Sequence, residues 1–403
     1  MQPNTLAAVI VNYNYGNFVA DAIESILAQT RPFDQIIVVN DGSTDNSMEV
    51  IGKYADRVEI VDKVNGGQLS ACIAGMMAAR TDYVFFLDAD DYITPTFYEK
   101  TYDAIQANPV KVQGQMIAVD GKKRSLNSVF PTYPPNYDSA KMISDNINTG
   151  FYICPPTSAN IYRKDMLVSM DLTRISGKEF IDGQSALAAP YYGEIISLNE
   201  PLTYYRIHGT NHSQWEKPDL ALLQGEIDWF GRRWQDACLI LDVAKPPFGD
   251  EQPLYVLERR LMLWALGSGK GGVGLSLKFV QRLLRAHLAP KRKLMMAVWS
   301  MLLLIPSKSL RRSLVGAKRS SINRPAIVNQ LFAVLMRRSA VPMLLLSVDP
   351  VRRRALNPET VSDAGAGLDA ALQHAVDGIQ SGAVTAMVSD GVQQLATVIN
   401  VAA

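Results

Sequence analysis

The first hundred residues alternate short apolar runs with helical patterns, and this alternation restricts the folds open to the chain. Each run has four or five mostly apolar residues, too few for a buried helix, and a segment with helical spacing follows. The runs are Ala7–Val11, Ile36–Val39, Val58–Val61 and Val84–Leu87. Short apolar strands joined by helices form a parallel sheet covered on both faces. The sequence therefore predicts an α/β fold with a mostly parallel sheet.

Polar residues stand where three of these runs end. Asn12 and Tyr13 follow the first run, Asp41 comes shortly after the second, and Asp88 and Asp90 follow the fourth. In such sheets, ligands bind beyond the carboxyl ends of the strands. We therefore expect these side chains to converge on one crevice.

Three carboxylates, those of Asp88, Asp90 and Asp91, lie within four residues and repel one another. A solvated acidic loop that caps the next helix is one explanation. A calcium loop of the EF-hand type is excluded, because Ile93 stands where the sharp turn needs glycine. Mg²⁺ and Mn²⁺ are bound by one or two carboxylates together with phosphate oxygens. The cluster thus indicates a site for a divalent cation and a diphosphate, with Asp91 assigned to the turn.

Four ordered segments of this region resemble one enzyme family. They are VIVNYNYGNFVADAIESILAQT (9–30), IIVVNDGSTDNS (36–47), NGGQLSACIAG (65–75) and FLDADDYITP (86–95). Together they resemble the family 2 inverting glycosyltransferases, over about residues 5–215. The resemblance implies the GT-A nucleotide-diphospho-sugar transferase fold, a Rossmann-like, mostly parallel sheet flanked by helices. It also implies a nucleotide-sugar donor and a divalent metal, Mn²⁺ or Mg²⁺.

The resemblance assigns roles to residues at the strand ends. Val11 and Tyr13 would frame the nucleobase, and Asp41 would accept from the imide of uracil or another base. Asp88 would contact the ribose, and Asp90 would ligate the metal.

The third segment departs from the commoner family pattern A-R-N-x-G. Cys72 and Ile73 stand at the positions of its Arg and Asn. A contact to the donor is either lost or taken over by Gln68.

Inverting transfer needs a general base that deprotonates the acceptor hydroxyl. Many family members carry it in a Glu-Asp pair that opens a helix, and here Ile181 and Asp182 fall on that pair. Asp182 is our candidate for the base. Glu179 is the rival, and a helix cap is the structural alternative for Asp182.

The segment Tyr205–His208 resembles the family's Y-R-x-H, which folds over the donor diphosphate. His208 would then ligate the metal or meet a phosphate, and the alternative is a hydrogen-bonded structural histidine. Arg206 and His212 are weaker candidates.

Charge divides the rest of the chain into blocks, although the formal net charge is only +1. Residues 270–354 contain 18 Lys and Arg and one acid, Asp349, whereas residues 355–403 contain five acids and no Lys or Arg. We predict a glycosyltransferase domain over 1–215, a helical extension over 216–269, a basic helical region over 270–354 and an acidic Ala/Gly-rich helical tail over 355–403.

The basic region contains an amphipathic segment, Ser276–Ala289, and a short apolar run, Leu294–Ile305. Lys278, Arg282 and Arg285 are expected on the solvated face of the first. The run is too short to span a bilayer. Peripheral contact with an anionic membrane and a packed helical subdomain are the two alternatives. The region lacks nucleic-acid-binding motifs, and no nucleic-acid partner is expected.

These features lead to one functional hypothesis and two rivals. The chain would be a metal-dependent transferase that moves a sugar from a nucleotide sugar, with UDP-sugars as leading candidates, to a glycan or lipid-linked acceptor in cell-surface polysaccharide synthesis. Three widely spaced cysteines favour a reducing compartment, hence a cytoplasmic location with the inner face of the plasma membrane as an option. The rivals are a non-catalytic sugar-nucleotide-binding or scaffolding protein and a nucleotidyltransferase. Residues 9–17 lack the Lys and Arg typical of the latter.

Overall fold

The computed structural model describes residues 2–175, 180–208, 219–267, 271–288 and 290–319. All of them belong to a compact unit that spans residues 1–329. The predicted tail, 355–403, lies outside the described residues, and the predicted boundaries at 215, 269 and 354 stay predictions.

The first half of the sheet is parallel, as the apolar runs predict. Its strands run in the order β3-β2-β1-β4, with helices between consecutive strands. The elements are β1 (Leu6–Asn12), α1 (Val19–Leu27), β2 (Gln35–Asp41), α2 (Ser47–Gly52), β3 (Glu59–Lys63), α3 (Gln68–Ala78) and β4 (Tyr83–Asp88).

The second half extends this sheet with mixed pairing. Beyond β4 the order is β8-β6-β9-β5, and β7 pairs with β6. The elements are β5 (Tyr92–Ile93), α4 (Phe97–Gln106), β6 (Lys111–Asp120), β7 (Ser125–Phe130), α5 (Ser139–Thr149), β8 (Asn160–Arg163), α6 (Lys164–Ser169), α7 (Ile181–Ala188) and β9 (Ile195–Ile207). The predicted GT-A architecture, a mixed and mostly parallel sheet with flanking helices, is confirmed.

Both faces of the parallel strands are buried, which explains why their sequences are continuously apolar. Val9 and Phe86 pack on the face covered by α3, whereas Ile10 and Phe85 pack on the face covered by α1 and α4.

From sequence alone, residues 111–156 lack clear strand or helix periodicity and would be assigned as irregular, and that assignment is wrong. They contain β6, β7 and α5. The buried strand β6 carries polar side chains, which hide its pattern. The amide of Gln113, fully buried, donates to Ile153 O at 3.1 Å and to Ser197 Oγ at 3.0 Å.

In the described part of the chain, five helices follow the sheet and pack against one another. They are α8 (Leu220–Leu241), α9 (Leu254–Leu266), α10 (Gly272–Arg285), α11 (Pro290–Leu302) and α12 (Lys308–Arg319). Phe279, Trp299, Leu303 and Val315 are buried. The apolar run 294–305 therefore contributes to a packed helical core. This agrees with the packed helical subdomain, the alternative to membrane contact. Among the described residues, no helix is both long enough and apolar enough to cross a bilayer.

Arg282 was expected on the solvated face of α10, and this is wrong. Its side chain is buried, donates to Asn148 Oδ1 at 3.4 Å and pairs with Glu251. Arg282 thus fastens α10 to α5. The prediction failed because its long side chain reaches buried partners that helical spacing does not reveal.

Gly75 lets α3 cross closely over β1 and supplies a test of the fold. A Cβ atom at this position would lie 2.2 Å from Val9 Cγ1. Since Val9 is fully buried, Gly75→Ala is expected to lower the free energy of unfolding by about 1–3 kcal/mol. Urea denaturation measures this.

Gly225→Ala in α8 is the matched control, because no atom lies within 4 Å of its added Cβ. It should be neutral or stabilise by about 0.5–1 kcal/mol. Equal unfolding midpoints for the two variants would contradict the close approach of α3 to β1.

Candidate active site

Strand register brings the predicted site residues to one edge of the sheet. Val11 pairs with Val39 on β2 and with Asp88 on β4, and Asp41 ends β2 one residue beyond the partner of Asn12. Because the three strands are adjacent and parallel, their carboxyl ends meet at one crevice.

The side of the crevice formed by β1 offers an exposed aromatic ring. Tyr13 directly follows the strand and is 47% exposed, whereas Val11 beside it is buried. A flat ring next to an apolar side chain fits the face of a planar base.

Asp41 is engaged by its own surroundings. Its carboxylate accepts from Lys63 Nζ at 2.6 Å, from Gly66 N at 3.0 Å and from Gly67 N at 2.8 Å. An ionised carboxylate has about four lone-pair sites, and Gly66 N also reaches Oδ2 at 3.2 Å, so a ligand would have to replace this longer contact. Asp41 therefore fixes the loop between β3 and α3 as well as facing the predicted base position.

Asp91 has a structural role, but it is buried and bonds to β9 and does not cap the next helix. It is 2% exposed, and its Oδ1 accepts from Arg206 N at 2.9 Å. Burial, followed by the charges of Asp90 and Asp88, raises its pKa well above the usual range. The contact ties the end of β4 to β9.

Asp88 lies in an environment that disfavours its charge. Burial and the neighbouring Asp90 raise its pKa to about 7, and Asp182 acts in the same direction. Hydrogen bonds from Gln68 and Thr157 oppose the shift. Within the described residues, the groups that hydrogen-bond to the Asp88 carboxyl are neutral, so its charge has no positive partner there.

His208 reaches the same cluster from the end of β9. Its Nε2 lies 3.0 Å from Asp90 Oδ2, and its ring stacks on Phe18 with centroids 4.8 Å apart. The two side chains predicted to bind metal are therefore in contact, an arrangement that a structural histidine would also show.

The donor set fits a hard cation held partly by a substrate. Asp88 and Asp90 offer carboxylate oxygens, which suit Mn²⁺ or Mg²⁺, and His208 adds an imidazole nitrogen, a ligand more typical of zinc or iron. Within the described ranges, no group of three or more His, Cys, Asp or Glu side chains forms a complete metal cage. Phosphate oxygens would have to complete the coordination.

Gln68 joins the two sides of the crevice, which the sequence did not reveal. Its Nε2 donates to Asp88 Oδ1 and to Thr157 Oγ1, both at 3.1 Å, and its Oε1 accepts from Ile181 N at 3.0 Å. One amide at the start of α3 thus holds the end of β4 and the first turn of α7 in place.

Asp182 lies in that first turn, half-buried. Burial raises the pKa of its carboxyl, while the charges of Arg233 and Lys111 lower it. Asp182 is the second residue of α7 and not the residue before it, where a cap normally stands. Glu179, the rival base, and His212 lie outside the described residues.

Sequence reasoning also missed Lys111, a fully buried lysine at the start of β6. Its Nζ lies 2.9 Å from Tyr152 Oη and 3.1 Å from Cys154 Sγ. Burial lowers its pKa, and Cys154 and Asp182 oppose that effect. No sequence signal marked it, because polar residues interrupt the apolar pattern of β6.

The Arg206 side chain pairs with Asp21 of α1 and not with the aspartates that follow β4. It is 2% exposed, donates to Asp21 Oδ2 at 2.8 Å and lies 4.8 Å from the centroid of Phe18. These contacts fasten β9 to α1.

Gln68→Leu tests the bridge, because leucine keeps the approximate size but loses all three hydrogen bonds. Hydrogen bonds to charged groups contribute about 1.5–3 kcal/mol, and we expect a loss of that size in the free energy of unfolding at neutral pH. The matched control is Gln224→Leu, which removes a Gln–Asp bond of 2.9 Å on exposed α8. Losses of equal size would contradict a structural role for the bridge.

Comparisons with known proteins show which family this chain resembles. The profile of glycosyl transferase family 2 matches residues 7–167. An uncharacterized glycosyltransferase of Nostoc sp. is 34% identical over 215 residues, which cover 51% of this chain and 66% of that protein. Glycosyltransferase YibD of Escherichia coli is 40% identical over 99 residues, 24% of this chain and 29% of its own.

Other relatives match over shorter stretches or by shape. Chondroitin synthase of Pasteurella multocida is 42% identical over 90 residues, 22% of this chain and 9% of its own. The crystal structure of Staphylococcus aureus TarS 1–349 with UDP-GlcNAc aligns with a TM-score of 0.45 at 16% identity, covering 78% of this chain and 91% of that one. The chain matches less than two thirds of the length of these curated relatives. Residues 7–167 carry a glycosyltransferase family 2 domain.

Proposed function

We propose that this chain is a metal-dependent, inverting glycosyltransferase that uses a nucleotide-sugar donor, with UDP-sugars as first candidates. One observation supports this most. The register of β2, β1 and β4 gathers Asp41, Val11 and Asp88 at one crevice, and the Asp90–His208 pair borders it. The match to the profile of glycosyl transferase family 2 supports the same function.

Each side chain would then have a separate task toward the donor. Tyr13 and Val11 hold the base, and Asp41 accepts from its imide N–H in place of the 3.2 Å contact from Gly66 N. Asp88 contacts the ribose, and Asp90 with His208 holds the cation. When bound, that cation stabilises the negative charge of the diphosphate leaving group.

Asp182 carries out the proton transfer in this mechanism. As the acceptor hydroxyl attacks the anomeric carbon, its proton passes to the carboxylate of Asp182. The bond from that carbon to the diphosphate oxygen breaks, and the configuration inverts. The raised pKa of Asp182 makes it a better proton acceptor than an exposed aspartate.

Asp182→Asn tests the base directly. General base catalysis contributes about 10²–10⁴ in rate, so we expect kcat for transfer to fall by that factor, with little change in donor KM. Asp228→Asn, on the exposed side of α8, is the control. The assay supplies UDP-sugars with Mn²⁺ and a panel of glycan and lipid-linked acceptors.

The same assay decides between the proposal and a non-catalytic binding protein. Tight donor binding without turnover on any acceptor would favour a non-catalytic binding protein. The presence of Ile181 where the family has Glu also favours that alternative. Full activity in excess EDTA would contradict the metal.

We also propose that the exposed faces of α10 and α11 contact an anionic membrane at the inner surface of the plasma membrane. Val273, Leu277 and Leu284 on α10 are 61%, 58% and 42% exposed, and Leu294 on α11 is 43% exposed. Lys293 Nζ donates to Leu284 O at 2.8 Å, which joins the two helices. Lys278, Arg285 and Arg292 are exposed nearby in sequence. Exposed leucines among cations suit an anionic interface, where lipid-linked acceptors and polysaccharide synthesis are found.

Vesicle flotation tests this surface. The full chain should float with vesicles that contain anionic lipid and not with neutral vesicles, and Leu277→Ser with Leu284→Ser should abolish flotation. Leu239→Ser, at an exposed leucine of α8, is the control. Equal flotation of both variants, or none with either lipid, would refute the surface.

A further inference from the structure

Helix α8 brings a buried arginine to the first turn of α7. Arg233 is 8% exposed, and its guanidinium lies 4.2 Å from the centroid of Trp229. Its neighbour Arg232 is exposed. Arg233 also lies beyond the stretch that matches the family profile, residues 7–167.

The guanidinium occupies the place of a missing side chain. A Cβ atom on Gly183 would lie 1.6 Å from Arg233 Nη2 and 2.4 Å from Cζ. Any residue larger than glycine would displace the arginine. Gly183 directly follows Asp182, so the charge of Arg233 lies one residue from the proposed base.

Charged and titratable groups from four elements face Asp182. Arg233 on α8 and Lys111 on β6 favour its ionised form, and Arg233 has the larger effect. Asp88 on β4 disfavours it, and Cys72 on α3 lies within its field. Arg233 is therefore the main counterweight to the burial of Asp182.

We propose that Arg233 is a positioning residue for Asp182, which fixes the first turn of α7 and keeps the carboxylate ionised for proton transfer. The proposal rests on the function proposed for Asp182. It makes α8 part of the active site, because the guanidinium beside Gly183 comes from this helix. The helix lies outside the stretch that matches the family profile.

The pH dependence of kcat separates this role from simple packing. Removal of a positive charge raises the pKa of a carboxyl group, and the base must be ionised. In Arg233→Gln, the acidic limb of the kcat profile should therefore move to higher pH by about one unit, with donor KM unchanged. Arg233→Lys should restore part of the shift, and Arg232→Gln should cause none.

Gly183→Ala should shift the profile in the same direction without touching a charged residue. Gly225→Ala, with open space at its Cβ, is the matched control. Profiles of Arg233→Gln and Arg232→Gln that coincide would overturn the proposal.

A double-mutant cycle makes the test independent of turnover. The unfolding free energies of Arg233→Gln, Asp182→Asn and the double variant should be non-additive at pH 8, and the coupling should be smaller at pH 4, because burial raises the pKa of Asp182 and favours its protonation. Additivity at both pH values overturns the role of Arg233. Coupling at pH 8 in a protein that transfers no sugar would instead overturn the proposed function and leave the Arg233–Asp182 interaction standing.

Discussion

The crowding of carboxylates at the end of β4 is the constraint on which the rest of this site depends. Asp90 and Asp91 are 8% and 2% exposed, and Asp88 lies beside them with a pKa raised to about 7. Buried like charges are stable only when hydrogen bonds or an opposite charge compensate them. Here the compensation comes mainly from later in the chain: the Arg206 N–H of β9 donates to Asp91, His208 contacts Asp90, and Thr157 hydrogen-bonds to the Asp88 carboxyl. The mixed second half of the sheet thus completes what the parallel half begins, and a cation with a diphosphate would supply the missing charge.

The sequence predicted the parallel half well, because there local pattern and tertiary structure agree. Apolar runs buried on both faces define the strands, and parallel pairing then places the residues that follow them at one edge. Prediction failed at β6 and at Arg282, where buried polar side chains depend on partners such as Ser197 and Asn148. Such partners are set by how segments meet in space, which hydrophobic periodicity does not encode.

The same reason explains which site residues were missed. Gln68 and Ile181 are 113 positions apart, and their contact exists only because α3 and α7 meet above β4. Arg233 against Gly183 likewise depends on the packing of α8 on α7. Asp88, Asp90 and His208 could be named as candidates because each belongs to a short motif. Gln68, Lys111 and Arg233 act through neighbours that are distant in sequence. The amide of Gln68 connects the donor-side carboxylate to the helix of the proposed base, so the two halves of the reaction share one frame.

The central claim is that the carboxylate cluster is half of a site that a cation and a nucleoside diphosphate complete together. Calorimetric titration of UDP into the protein, with Mn²⁺ and with EDTA, tests it most directly. The account predicts that UDP affinity falls at least about tenfold, or about 1.4 kcal/mol, when the metal is removed, and that Asp90→Asn loses this dependence on the metal. Equal affinity with and without Mn²⁺ in the unaltered protein would contradict it.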